Sequence, residues 1–538
     1  MTSETTSATT STLYRGGFVR SPADPHATAM VVANDQITWI GSDEAAARHA
    51  DGVDTVVELD GALVTPTFVD AHVHTSATGM GLRSVELTEA RSVADALARV
   101  EEAARKRQGR PVYAPNWDED SWPEHRPPTA QELDRATYGG VVYSPRVDGH
   151  SAVISSALAA ASGARHLPGW NDSGLVTREA HHAARDTFRD GVSPADRRAD
   201  IDAALKAAAA AGIGLVHENA GPHLSSAEDL ADVLAAGDRG DGPQVIGYWA
   251  ELVADQEQAR QLAQRHGVRG LAGDLNIDGS IGSRTASLRA PYAEVGDPLD
   301  GRGSSHGNAY LTVEQVRDHV VACSQAGIQA GFHVIGDAGA DIVVQGMKAA
   351  AAQMGTDRFI AARHRLEHLE MVDAAGIEAL VELGVTASVQ PAFDAFWGGD
   401  HSMYAARLGR ERVAGMNPFA TMAAAGMSLA FGSDTPVTPF APWQAIQAAA
   451  FHHEPAQRIS VETAFLAHTR GGWRVAGIDG RGYLDLGQPA SFAVWSLSDE
   501  SLSGTTGLPD LSPGATLPTN LRTVIRGRTV FDREGALA

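Results

Sequence analysis

Histidine and carboxylate side chains recur at the ends of short apolar runs in this chain, a pattern suited to holding a divalent metal ion. The first run is Ala62-Leu-Val-Thr-Pro-Thr-Phe-Val-Asp-Ala-His-Val-His74, which closes on Asp70, His72 and His74. Side chains alternate faces along a strand, so His72 and His74 point the same way. Two imidazoles at the end of a buried strand can grip one ion from one side. Later runs deliver His333 (Gln329-Ala-Gly-Phe-His-Val-Ile-Gly-Asp337), His368 (Arg363-His-Arg-Leu-Glu-His368) and Asp434 (Leu429-Ala-Phe-Gly-Ser-Asp-Thr-Pro436). These are the ligand types that zinc and similar ions prefer. Taken singly, each reads better as a structural residue. Taken in order, each at a strand end, they read as one site.

The elements that must position them follow from periodicity. Residues 66–480 alternate strand-like runs with Ala-rich helical stretches, which predicts a (β/α) barrel with its site at the C-terminal ends of the strands. Helices are expected over 92–108, 199–211, 226–236, 313–326, 339–353 and 372–383. Strands are expected over 213–218, 244–250, 271–277, 329–335, 363–368, 385–390 and 428–433, among others. The candidates exceed eight, so an insertion is placed around 111–210, a stretch rich in Trp, Pro and His. Residues 1–65 and 481–538 carry short β-rich runs, and the two ends are expected to pair into one small β domain.

Bulk properties narrow the function. The 538 residues are 43% hydrophobic, enough for a large domain plus a smaller one. The net charge of −23 argues against nucleic acid or an anionic membrane as partner and leaves a small-molecule substrate. No apolar stretch is long enough to span a bilayer. The single cysteine, Cys323, excludes an intrachain disulfide, and the first twelve residues are polar and Ser/Thr-rich, so the expected location is cytoplasmic.

The ordered motifs resemble the amidohydrolase superfamily, in its YtcJ-like (family 3) branch that includes N-substituted formamide deformylases. Those motifs are the His-x-His strand, Trp117-Asp118, Asp148-Gly-His-Ser151, Asp278-Gly-Ser-Ile-Gly-Ser-Arg-Thr-Ala286, His333-Val-Ile-Gly-Asp337, Arg365-Leu-Glu-His368, Ser388-Val-Gln-Pro391 and Gly432-Ser-Asp-Thr-Pro-Val437. The resemblance implies a distorted TIM-like barrel, a β-sandwich built from both termini, and metal-assisted hydrolysis, usually of a C–N bond. It also implies one or two divalent ions per chain, zinc foremost, and a homodimer.

One departure matters. Many relatives bridge two metals with a carboxylated lysine, and that position here is Asp274. The chain's three lysines, Lys106, Lys206 and Lys348, all lie in helical stretches. Aspartate is several bonds shorter, so Asp274 is expected to fall short of the ions. Glu218, at the end of an apolar strand, is the better-sized substitute, as a bridge or as an acid–base beside one ion; a helix cap or a partner for a nearby Arg is an equally good reading. In the implied mechanism His72 and His74 hold the more buried ion, and His333 and His368 hold the second, or one of them orients the substrate oxygen. Asp434 takes a proton from water and passes it to the leaving amine. A mononuclear deaminase acting on an amidine or aminated ring, with Glu218 as acid–base, is the alternative, and a non-catalytic barrel is a third. Trp117, His150, Asp278, Arg284, Phe393 and Trp397 are the candidates for contacting substrate. Turn formation, ion pairing and loop packing are the competing explanations for them. His217, next to Glu218, is expected to face away from the site.

Overall fold

The computed structural model describes residues 10–119, 122–146, 151–222, 224–282, 284–293, 305–498 and 507–537. Eight parallel strands form one sheet in chain order: β1 (Phe68–Val73), β2 (Ile213–Ala220), β3 (Gln244–Trp249), β4 (Gly270–Leu271), β5 (Gln329–Val334), β6 (Arg365–His368), β7 (Thr386–Val389) and β8 (Ser428–Phe431). The last strand meets the first, with a parallel bridge between Val73 and Thr435 and a 2.8 Å bond from Asp434 N to His72 O. Gly432 permits this approach, since a Cβ there would lie 2.6 Å from His72 N. The fold is thus the expected (β/α)8 barrel, with His72, His74, His333, His368 and Asp434 at one end of it.

The helices between strands follow local signals. Val313–Ala326 opens on a Thr312/Gln315 capping box and ends at left-handed Gly327. Strand β4 departs from expectation. The sequence suggested a strand over 271–277, but regular pairing breaks after Leu271 and resumes only as a parallel bridge between Asn276 and His333. Gly273 turns with φ +84°, and a Cβ on it would lie 2.5 Å from Asn219 Oδ1. The chain therefore bends toward the neighbouring strand, in a conformation that favours glycine.

Both chain ends build the two remaining sheets of this unit. Ser11–Arg15, Ala29–Ala33, Gln36–Gly41 and Thr55–Glu58 form one; Phe18–Val19, Leu63–Pro66, Phe492–Ser496, Thr519–Ile525 and Arg528–Asp532 form the other. Leu63–Pro66 pairs antiparallel with Phe492–Ser496, so N- and C-terminal segments share a sheet. Tyr14, Met30, Ile37, Val64, Phe492 and Val524 fill the core between them.

A second compact unit spans Thr75–Ala204. It contains the four-stranded sheet Val112–Tyr113, Val142–Pro145, Ser151–Ile154 and Leu175–Thr177. It overlaps the stretch around 111–210 where the sequence placed an insertion, and it takes in the helix Val93–Arg107 as well. Its Val93, Ala96 and Val100 pack with Trp117, Trp122, Leu133 and Val142.

Candidate metal centre

Four imidazoles and two carboxylates converge at the C-terminal end of the barrel. His74 Nε2 lies 3.2 Å from Asp274 Oδ2 and 3.1 Å from Asp434 Oδ1. His72 Nε2 lies 3.4 Å from Asp274 Oδ1 and 3.5 Å from Asp434 Oδ1. Asp274 Oδ1 also faces His333 Nδ1 at 3.5 Å and His368 Nε2 at 3.8 Å. Three sets of ligand atoms lie within 4.8 Å of one another: His72/His368/Asp434, His72/His74/Asp274 and Asp274/His333/His368.

Each ring spends its outer nitrogen on an acceptor. His72 Nδ1 donates to Glu367 Oε2 (3.0 Å), His74 Nδ1 to Asn219 O (3.0 Å), His368 Nδ1 to Gln390 Oε1 (2.7 Å) and His333 Nε2 to Gly279 O (3.3 Å). With the proton on that side, each inner nitrogen presents a lone pair to the centre. Among the described residues, His72 Nε2 and Asp274 Oδ1 are shut off from solvent without a hydrogen-bond partner. Buried polar atoms are rarely left so. Neutral imidazole lone pairs facing carboxylates fit a divalent cation.

The electrostatics point the same way. Burial opposes a charge on His72, but Asp274 and Asp434 outweigh it and push its pKa up to about 10. His74 is likewise raised, against burial, by the same two carboxylates. Burial opposes the charge on Asp274, yet the surrounding histidines hold it well below the usual carboxylate range. The centre favours positive charge, supplied by protons or by metal.

Local backbone geometry delivers these groups. Arg365 and Glu367, two apart on β6, face the barrel interior together, so regular alternation would turn His368 away. His368 (φ 68°) and Leu369 (φ 51°) are both left-handed, and this sharp turn swings His368 inward as well. Asp434 (φ 56°) leaves β8 by a similar turn.

The expectation that Asp274 falls short is therefore corrected: the bend at Gly273 carries its backbone inward, and the short side chain touches all four histidines. Glu218 is buried on β2 but joins none of the three ligand sets. His217 does not face away from the barrel interior, as the sequence suggested. Its Nδ1 accepts from Arg365 Nη1 at 3.1 Å, and the register of β2 against β1 is irregular at this point.

The substrate-contact candidates divide. Phe393 stacks on His368 (centroids 5.9 Å, planes 10° apart) and meets Trp397 at 5.0 Å, forming an aromatic wall beside the centre. Asp278 instead holds its own loop: Oδ1 accepts from Ile335 N, and Oδ2 from Gly336 N and Ser287 N. Arg284 sits in the same loop with φ 57°. Trp117 is a core residue of the second unit, its indole N–H donating to Ser144 O at 2.8 Å, so packing accounts for it. His150 lies outside the described residues, as does Asp148.

Sequence reasoning did not single out Glu367, Gln390 or Asn219. For Glu367 a signal existed, an Arg and a Glu two apart in an otherwise apolar strand. Glu370 was also missed. It is buried, accepts from Tyr404, and has an Oε2 without a partner among the described residues. Burial raises its pKa to about 7, and nearby Asp278 and Asp434 add to this. The folded value exceeds the unfolded one, so folding stability falls as pH rises through about 4.5 to 7. In the metal-free protein Glu370→Gln should therefore stabilise at pH 8, by up to about 3 kcal/mol, and the gain should vanish near pH 5. Thermal melts of both proteins across this range check it; a pH-independent difference would count against it.

An eight-stranded parallel barrel with histidine and aspartate ligands gathered at its C-terminal mouth defines the class: a (β/α)8 protein with a centre able to hold metal. Residues 55–531 match the model of the amidohydrolase family, and the chain belongs to that family and is a hydrolase. It is 25% identical to the putative amidohydrolase YtcJ of Bacillus subtilis (strain 168), over 97% of this chain and 99% of that one. It is 23% identical to the N-substituted formamide deformylase of Arthrobacter pascens, over 95% and 96%. The fold is shared with an uncharacterized metal-dependent hydrolase from Pyrococcus horikoshii OT3 (TM-score 0.75, 22% identity, 91% of this chain and 98% of that one). No helix among the described residues is long and apolar enough to cross a membrane.

Proposed function

We propose that this protein is a metal-dependent hydrolase of a C–N bond in a small organic amide, with N-substituted formamides the first class to examine. The observation that carries this reading is Asp274, one carboxylate within 3.8 Å of all four histidines. Its two oxygens let it serve two ions at once. His72, His74 and Asp434 would hold one ion, His333 and His368 the other, and Asp274 would bridge them. The short bridge thus takes the place of a carboxylated lysine. When bound, the metal supplies Lewis acidity, which makes water a nucleophile near neutral pH and polarises the scissile carbonyl.

The chain's own residues do the rest. Asp434 stands at the mouth of the barrel with Oδ1 beside His74, where it accepts the proton of the attacking water and returns it to the departing amine nitrogen. Burial and the neighbouring histidines work against each other on this group; the histidines prevail and keep it ionised, ready to accept. Phe393 and Trp397 give the pocket an aromatic wall suited to an apolar N-substituent. The resemblance to a formamide deformylase supports the choice of substrate class.

Elemental analysis with an assay of formate and amine release tests this. Two equivalents of a divalent metal per chain are expected, with release from an N-alkyl or N-aryl formamide lost on chelation and restored by zinc. A single equivalent together with ammonia release from an aminated ring would favour the deaminase. A folded chain that takes up no divalent metal would exclude both.

A further inference from the structure

The interior of a barrel of this kind is filled mainly by branched aliphatic side chains. Here an ion pair occupies it: Arg365 and Glu367 are both completely buried on β6. Such a pair is a poor way to gain stability, because stripping water from two charges cancels much of their attraction. The surroundings are built around it nonetheless. Arg365 Nε donates to Glu367 Oε1 (2.6 Å), and Nη2 donates to Glu367 Oε2 (2.8 Å), Ala71 O (2.7 Å) and Ser388 Oγ (3.0 Å). Nη1 donates to His217 Nδ1, and the guanidinium lies 4.4 Å from the Tyr248 ring centre. On β5, Gly331 leaves the room required, since a Cβ there would lie 2.8 Å from Arg365 Cγ.

One end of this assembly leads out of the core. Glu367 Oε2 accepts from Arg365 and also from His72 Nδ1 at 3.0 Å. The same guanidinium nitrogen that grips Oε2 bonds to Ala71 O, the carbonyl next to His72 in the chain. Ring and backbone of His72 are thus tied to a single clamp. We propose that the Arg365–Glu367 pair is a positioning device for metal binding: Glu367 fixes His72 with its proton on Nδ1 and strengthens Nε2 as a donor, and Arg365 holds Glu367 there. Carboxylate–histidine pairs beside a metal act in this way, and their loss lowers metal affinity about 10–100-fold. The inference rests on the metal-hydrolase reading above.

The test is metal affinity, independent of any substrate. Zinc dissociation constants are measured by chelator competition, and ligand-field spectra on the cobalt(II)-loaded protein, for wild type, Glu367→Gln and Tyr248→Phe. The last removes the Tyr248–Gln329 bond (3.1 Å) and the hydroxyl's contact with Arg365, but leaves the Glu367–His72 bond and the ring under the guanidinium. Glu367→Gln is expected to weaken zinc binding about 10–100-fold and to shift the cobalt bands. Tyr248→Phe should lower the melting temperature of the metal-free protein and change neither metal readout. Should Glu367→Gln fail to fold, Glu367→Asp carries the test: it keeps the charge, withdraws the oxygen from His72, and should also lose affinity. A folded variant at residue 367 with wild-type affinity and spectrum overturns the proposal and leaves the function standing. Equal affinity losses in Tyr248→Phe would reduce the pair to a core plug, and a wild type that binds no zinc overturns both readings.

Discussion

Asp274→Asn is expected to reduce bound metal from two equivalents per chain to one or none, and to abolish formamide hydrolysis. The neutral amide keeps the size of the side chain but removes the one charge shared by both ligand groups. A unit charge about 4 Å from another is worth about 4 kcal/mol at an effective dielectric near 20. That corresponds to roughly a thousandfold in affinity for each unit of charge on the ion. Elemental analysis after exhaustive dialysis reads the outcome directly. Glu218→Gln is the paired measurement, because Glu218 has the length for a bridge yet joins none of the ligand sets. Full metal content in Asp274→Asn, with loss in Glu218→Gln, would move the bridge to Glu218.

Asp434→Asn should retain most of its metal and lose turnover. His72, His74 and Asp274 still surround the first ion position, whereas the asparagine amide cannot accept and return a proton. General acid–base groups contribute about 10²- to 10⁴-fold, so kcat should fall within that range. Because Asp434 Oδ1 is also 3.1 Å from His74 Nε2, a modest loss of metal is compatible with this; metal content and kcat must be measured on the same sample. Turnover equal to wild type at full metal occupancy would remove Asp434 from the proton path.

Glu370→Gln and the variants at Glu367 probe groups that lie outside the ligand set. The first reads a buried carboxyl beside the aromatic wall, with its ionisation near neutral pH. The second reads whether the barrel core acts on the centre. Neither depends on knowing the substrate.

The order of His and Asp residues at strand ends, with the alternation of strand and helix, was enough to read a metal-bearing barrel from the chain. Periodicity is a local property, and it survives in the structure: the helix expected over 313–326 is Val313–Ala326, and that over 339–353 is Asp337–Met354. The shared face of His72 and His74 is equally local, since it needs only the alternation of a strand. Three matters were not local. The reach of Asp274 depended on the backbone bend at Gly273 against Asn219, which no side-chain length reports. The inward turn of His368 broke the alternation that already placed Glu367 inside, through two successive left-handed residues. The direction of His217 depended on the irregular pairing of β2 with β1. Residue types and spacing set which ligands the chain can offer. Backbone turns held by neighbouring strands decide which of them meet, because an ångström of displacement separates a ligand from a bystander and only packing supplies it.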